Sequence, residues 1–338
     1  MPALRLPPGF RADVVASGLA GPRALAFDPT GTLIVSLPGE GRVVALAGGI
    51  VTVAKQLDRP HGLAFHGRHL YVAETGRILR FRYDVLTRTA REAVPIVRDL
   101  PHGGHHWTRS VAFGAKGRLF VAIGSSCDVC RERDPRRAAI VTYAADGSDA
   151  RVFASGLRNP VGLAFDPRDG ALWTTINERD WRSGGAPPDY VTAVREGASY
   201  GWPACYASGG AFAPDPEFHD ANVRDGGDCT MMAIPTLELP AHSAPLGLAF
   251  YTGRQFPAHY RGDLFVALHG SRPGLPAVGH KIVRVRRAPE PRAEDFATGF
   301  HEGDRVLGRP VDVAVGPDGS LYVSDDHAGA IYRIRFAP

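Results

Sequence analysis

The sequence predicts an all-β fold, a six-bladed β-propeller closed by its N- and C-terminal strands, on three observations. A short apolar strand phrase recurs six times along 338 residues. Amphipathic helical periodicity is almost absent, which argues against solenoids of helix pairs. Turn formers are abundant, with 40 Gly and 28 Pro, as many short strands joined by tight turns require.

The first phrase is Ala24-Leu25-Ala26-Phe27, and the next are Gly62-Leu63-Ala64-Phe65, Ser110-Val111-Ala112-Phe113, Gly162-Leu163-Ala164-Phe165 and Gly247-Leu248-Ala249-Phe250. Asp312-Val313-Ala314-Val315 is the sixth, with Val in place of Phe. Most are followed by a polar turn, as in Asp28-Pro29-Thr30-Gly31 and Gly316-Pro317-Asp318-Gly319, and then by a second apolar strand such as Leu33-Ile34-Val35 or Leu321-Tyr322-Val323. Each unit reads as a β-meander that cannot bury both faces alone, so neighbouring units must stack. The spacing runs from 38 residues (Phe27 to Phe65) to 85 (Phe165 to Phe250), and the longest gap is where an extra blade could hide. The segment from Phe10 to Ser17 reads as an extra strand that pairs with the last one, Ile331 to Phe336, and removes the exposed sheet edge. The whole chain, 1–338, is expected to be a single domain.

Composition excludes several classes. Hydrophobic residues make up 44% and charged residues 22%, as in a globular protein. No apolar run reaches the ~18 residues of a membrane span. The net charge is +4, and only Lys55, Lys116 and Lys281 of the 39 basic residues are lysines, with no basic run of the nucleic-acid type. The N-terminus lacks an apolar signal segment, so the chain reads either as cytoplasmic or as a mature form behind an added Met. The four cysteines form two local pairs, Cys127 with Cys130 and Cys205 with Cys229, which favours disulfides and a periplasmic or secreted location. Zinc would need a second C-x-x-C, and c-type haem is excluded because Arg131, not His, follows Cys130.

Equivalent positions of every blade lie at one height around the axis, so the residues preceding each phrase converge on one mouth of the channel. Six and seven places before the terminal Phe or Val stand Arg59, Asp58, Trp107, His106, Asn159, Arg158, Ser243 and Arg309. His61, Arg109 and Arg23 stand four before, and His242 and His105 eight before. Such an Arg/His ring suits a small polyanionic ligand and offers a base that titrates near neutrality. Alternatively these residues merely close strand ends.

On Gly104-His105-His106-Trp107-Thr108-Arg109, Gly124-Ser125-Ser126-Cys127-Asp128-Val129-Cys130, Gly156-Leu157-Arg158-Asn159-Pro160, Asn177-Glu178-Arg179-Asp180, Tyr200-Gly201-Trp202-Pro203, Leu268-His269-Gly270-Ser271 and Gly308-Arg309-Pro310, the chain resembles the pyrroloquinoline quinone (PQQ)-dependent glucose/sorbosone dehydrogenases, most closely their sorbosone-dehydrogenase-like branch. The resemblance implies a six-bladed propeller with PQQ on the axis, a sugar-like substrate and an external electron acceptor. It makes His106 the base that takes the substrate hydroxyl proton, with His105 as the fallback, while hydride passes to the quinone. It places Arg158 and Asn159 at the quinone oxygens, Arg158 also stabilising developing charge, and Arg309 at a cofactor carboxylate. The family's cofactor-holding lysine falls near His269 and Gly270, with Arg272 the nearest cation. Its calcium-binding carbonyls fall at Glu178 and Arg179, which implies Ca²⁺ as a second cofactor. Departures stand at Ser125, where the family's acidic partner of the histidine lies and Asp128 is the expected substitute, and at Val161 and Val311.

Two other classes compete with the dehydrogenase. A calcium-dependent lactonase would place carboxylates and Asn on the axis. A non-catalytic binding propeller would tolerate Ser125, Val161 and Val311.

Overall fold

The computed structural model describes residues 2–180, 186–218, 228–287 and 289–338. It contains six four-stranded antiparallel sheets, arranged as the blades of a propeller. Their first strands are Leu25–Phe27, Leu63–His66, Arg109–Phe113, Pro160–Phe165, Pro245–Phe250 and Pro310–Val315, which are the six repeated phrases. All six contribute to a channel cavity of about 130 Å³ on the axis.

The second strand of each blade follows from the same sequence logic. Leu33–Leu37, Leu119–Ile123, Leu172–Ile176 and Leu264–Leu268 are buried at every position. A strand covered on both faces reads as a continuous apolar run rather than an alternation. The turns between first and second strands are held by aspartates: Asp28 Oδ1 accepts from the backbone N–H of Thr30 and Thr32, both at 2.8 Å. Gly31 then takes φ +87°, a conformation that favours glycine.

The ring closes as expected. Phe10–Ala16 pairs antiparallel with Ala330–Phe336, from Phe10 opposite Phe336 to Ala16 opposite Ile331. That makes the N-terminal segment the outer strand of the sixth blade. The long gap after Phe165 hides no seventh blade among the described residues. Between the third strand of blade four, Asp189–Val194, and its fourth, Leu237–Leu239, sits a two-stranded hairpin of Cys205–Ser208 and Ala211–Pro214. Cys205 is bonded to Cys229, and Cys127 to Cys130. No described helix is long and apolar enough to cross a membrane.

Candidate active site

At the mouth where the loops preceding the first strands meet lies a cavity of about 160 Å³. His106, Arg158, Asn159, Glu178 and Arg272, five of the expected site residues, line it together. Asn177, Asp180, Asp189, His242, Ala244, Gly270 and Ser271 complete the wall.

His106 is carried on the loop before the third blade. Arg109, fully buried, grips that loop from below: its Nη1 donates to the carbonyls of His106 (2.9 Å) and Thr108 (2.7 Å), and its Nη2 to that of Pro101. Arg109 is therefore a strut and not a member of the ligand ring. The imidazole Nδ1 lies 2.9 Å from the Ser125 carbonyl oxygen and 3.0 Å from Ser125 Oγ. A carbonyl can only accept, so Nδ1 carries the hydrogen and Nε2 is left with a bare lone pair. Among the described residues no group bonds Nε2. Burial, and then the neighbouring Arg158 charge, pull the imidazole pKa down to about 3, so the ring is neutral at physiological pH. His105, the neighbour, is exposed.

Ser125 thus fills the place of the acidic partner. The expected substitute, Asp128, does not reach His106. Its Oδ1 accepts from Arg158 Nη2 at 2.7 Å and its Oδ2 from Arg179 Nη2 at 3.0 Å. Burial works against its ionisation, but Arg179 and Arg158 outweigh it and hold the carboxyl below its usual range.

Arg158 is almost wholly buried. Nε donates to the Asp128 carbonyl (3.3 Å), Nη1 to the carbonyls of Asn177 (3.1 Å) and Glu178 (2.7 Å), and Nη2 to Asp128 Oδ1. Guanidinium has five N–H groups; four are engaged, and one on Nη2 is left. Beside it, Asn159 Oδ1 is buried without a partner, and amide O and N exchange places by a simple flip. Gly124 makes this meeting possible: a Cβ there would strike Asn159 Oδ1 and come within 2.5 Å of His106 Cβ.

Of the calcium ligands expected at the Glu178 and Arg179 carbonyls, the first is already engaged. The Glu178 carbonyl accepts from Arg158, so a divalent ion there would compete with a guanidinium for one oxygen. The Arg179 side chain turns away into a buried ion-pair cluster, at 2.7 Å from both Asp215 oxygens and 2.5 Å from Glu217 Oε2. The residues present do not fit a calcium ion through that carbonyl. Glu178 lines the cavity, and burial pushes the pKa of its carboxyl up to about 8.

Arg309 lies next to the cavity rather than on it. It donates to the carbonyls of His269 (3.2 Å), Gly270 (2.7 Å) and Ser271 (3.4 Å). It makes no ion pair among the described residues, while burial, and then nearby Arg23 and Arg272, pull its pKa below the ordinary range. A half-buried guanidinium of this kind is stabilised by an anion, and with the Asn159 amide, flipped so that its NH₂ faces the cavity, it fits a polycarboxylate quinone. His269 does not line the cavity; its Nε2 lies 3.0 Å from Asp326 Oδ1, and Asp326 in turn pairs with Arg23 Nη1 at 2.5 Å. His61 belongs to the channel below, where its Nε2 is buried without a partner. Val161 and Val311 pack with Leu246 as an apolar collar at the channel.

Sequence reasoning missed Asn177, Asp180, Asp189 and Ser271 as wall residues. His242, eight before Phe250, had the right phase. It bonds Asp180 Oδ1 through Nδ1 at 2.6 Å, in a backbone conformation with φ +64°. Arg272 Nη2 reaches the other oxygen of Asp180 at 3.2 Å.

Comparison with known proteins places the chain in a family. The model of the TrAA12-like family matches residues 4–337. An uncharacterized protein of Borreliella burgdorferi is 28% identical over 98% of this chain and 91% of its own. The pyrroloquinoline quinone-dependent pyranose dehydrogenase of Coprinopsis cinerea is 29% identical over 97% of this chain, which spans about half of that enzyme's length (54%). The aldose sugar dehydrogenase YliI of Escherichia coli is 27% identical over 68% of this chain and 60% of its own. Among solved structures, a Trichoderma reesei carbohydrate-active enzyme of family AA12 superposes with a TM-score of 0.86 at 23% identity, covering 99% of this chain and 98% of its own. The holo PQQ domain of the Coprinopsis pyranose dehydrogenase superposes with a TM-score of 0.79 at 25% identity, covering 99% and 97%. By the match across almost its whole length the chain belongs to the TrAA12-like family, in the company of PQQ-dependent pyranose and aldose sugar dehydrogenases.

Proposed function

We propose that this chain is a PQQ-dependent dehydrogenase that oxidises an aldose sugar or a related hydroxy-carbonyl compound and passes the electrons to an external acceptor. The observation that carries the reading is the bare Nε2 of a neutral His106 in a cavity shared with Arg158 and Asn159. When bound, PQQ supplies the two-electron acceptor. His106 Nε2 takes the proton of the substrate hydroxyl, and the Ser125 carbonyl, already bonded to Nδ1–H, steadies the resulting imidazolium. Arg158 presents its remaining Nη2 hydrogen, and Asn159 its side-chain amide, to an oxygen on which negative charge grows. Arg309 and Arg272 supply positive charge for the carboxylates of the cofactor. We further propose that the chain works as one domain and in an oxidising compartment, which its two disulfides support.

For calcium we propose no site at the Glu178 carbonyl. Absorbance titration with PQQ, run with and without Ca²⁺, tests both cofactors; calcium-dependent binding would mean that Arg158 yields that oxygen. Dye reduction across a panel of sugars then tests the activity. We expect Arg158→Ala and Arg309→Ala each to weaken PQQ binding by about 2–5 kcal/mol, the loss typical of a buried charge partner. A chain that binds no PQQ and reduces no dye with any sugar would overturn the reading.

A further inference from the structure

The loop closed by the Cys127–Cys130 disulfide touches both residues to which the chemistry has been given. On one side, Ser125 Oγ donates to the Cys127 carbonyl at 2.7 Å. With its hydrogen committed there, Ser125 Oγ turns a lone pair toward His106 Nδ1–H, alongside the Ser125 carbonyl. On the other side, Asp128, inside the disulfide ring, holds Arg158 twice. Its carbonyl accepts from Nε at 3.3 Å and its carboxylate from Nη2 at 2.7 Å. The same carbonyl accepts from Trp202 Nε1 at 3.1 Å, and the same carboxylate from Arg179 Nη2 at 3.0 Å. Arg179 is itself anchored on buried Asp215. The loop is tied to its stem as well: Glu132 accepts from the Ser126 backbone N–H and from Ser126 Oγ.

We propose that the Cys127–Cys130 loop is a positioning device for the reaction: through the Cys127 carbonyl it keeps Ser125 Oγ an acceptor toward His106 Nδ1–H, in support of the Ser125 carbonyl, and through Asp128 it fixes the guanidinium of Arg158, so that opening the disulfide slackens both at once. The role in turnover rests on the dehydrogenase reading; the effect on His106 does not. A four-residue ring leaves its three peptide carbonyls, those of Cys127 and Asp128 among them, little freedom. Without the bond, the carbonyls of Cys127 and Asp128 can rotate away, and Ser125 Oγ can then donate to other acceptors. A freed Ser125 hydroxyl can donate to Nδ1 and so compete with the Ser125 carbonyl for the choice of tautomer.

The two disulfides differ in access. Cys127 and Cys130 are half-buried, whereas Cys205 and Cys229 are 4% and 9% exposed. A small dithiol therefore reaches the first bond before the second. In that exchange the Cys127–Cys130 bond breaks, a disulfide forms within the reagent, and its two electrons and two protons end on the two cysteine thiols.

The test uses ¹⁵N-histidine spectra of the full chain without cofactor, and steady-state rates with PQQ. In the parent, His106 should show a protonated Nδ1 and a bare Nε2. In Cys127→Ala/Cys130→Ala it should show a mixture of tautomers, with kcat lowered about 10²-fold, as for a ~1 Å misplacement of a reacting group. Asp128→Asn should weaken PQQ binding through Arg158 while leaving the His106 tautomer in place. If the double variant fails to fold, the parent treated with dithiothreitol, its Cys205–Cys229 bond shown intact by mass mapping, carries the same two measurements. A single Nδ1–H tautomer together with unchanged kcat after loss of the bond would overturn the proposal. A tautomer shift in a chain whose parent reduces no dye would sink the dehydrogenase reading and leave the positioning role standing.

Discussion

A histidine that serves as a base must be unprotonated when substrate arrives and must point one particular nitrogen at it. Burial and the Arg158 charge meet the first condition, holding the His106 pKa at about 3, and the Ser125 carbonyl meets the second. Because the pKa is depressed from 6.5, the base form persists as pH falls through 6.5 and is lost only far below it. The acid limb of kcat/KM should accordingly lie well under pH 6.5, and a limb centred near 6.5 would show that another group controls the rate. His106→Ala should retain PQQ and lose about 10²–10⁴-fold in turnover, the usual worth of a positioned base, whereas exposed His105 should tolerate Ala. Loss of turnover in His105→Ala alone would move the base by one residue. Gly124→Ala probes the same geometry without removing a functional group, since its Cβ competes for the space of His106 and Asn159. It should cost about 1–3 kcal/mol of stability, as overpacking does, and lower kcat by more than its effect on PQQ binding. Normal turnover in Gly124→Ala would mean that the two side chains need not meet.

At the scale of elements, the insertion in blade four is the piece most dependent on covalent support. The short hairpin Cys205–Ser208 and Ala211–Pro214 has few strand bonds of its own, and the Cys205–Cys229 bond ties it 24 residues onward. Cys205→Ala/Cys229→Ala should lower unfolding free energy by about 2–4 kcal/mol on loop-entropy grounds, measured by urea denaturation; no change would mean the hairpin is held by packing alone. Carrying Arg179's partners Asp215 and Glu217, this insertion also reaches the site through Asp128. Such a link could not be read from the sequence, because the partners lie 36 and 38 residues from Arg179 in a segment outside the repeat. The strands were legible for the opposite reason: each Leu-Ala-Phe phrase repeats in phase and is buried by the same neighbours in every blade. That phase also placed His106, Arg158 and Asn159 at one mouth. It misplaced His61 and Arg109, which face the channel and the loop base, and it could not show that the Glu178 carbonyl and the His269 ring already have partners, since those are tertiary hydrogen bonds.

For the whole molecule, blades three to five wall the cavity and blade six brings Arg309 beside it, so the site's geometry depends on the ring staying closed. Closure rests on a single outer strand. Phe10–Ala16 satisfies the edge of Ala330–Phe336, and Asp13 pairs with Arg335 at 2.8 Å. Phe10 adds the apolar part: its ring meets Phe256, Tyr260, Phe296 and Phe336 edge-on at centroid distances of 4.8–5.2 Å. It thereby joins the last blade to the fifth, because Phe256, Tyr260 and Phe296 all belong to the latter or to its loops. Phe10→Ala should therefore cost about 3–5 kcal/mol, the range for a buried Phe cut to Ala, a large share of the ~5–15 kcal/mol that holds a typical domain. Deleting residues 2–16 removes that anchor and also exposes the backbone donors and acceptors of the Ala330–Phe336 edge, which invites pairing between chains. The deleted chain should elute as oligomers in size-exclusion chromatography and melt without a single cooperative transition. A monomeric chain of parental melting temperature after the deletion would show that the ring is held by blade-to-blade packing alone and that the N-terminal strand is dispensable.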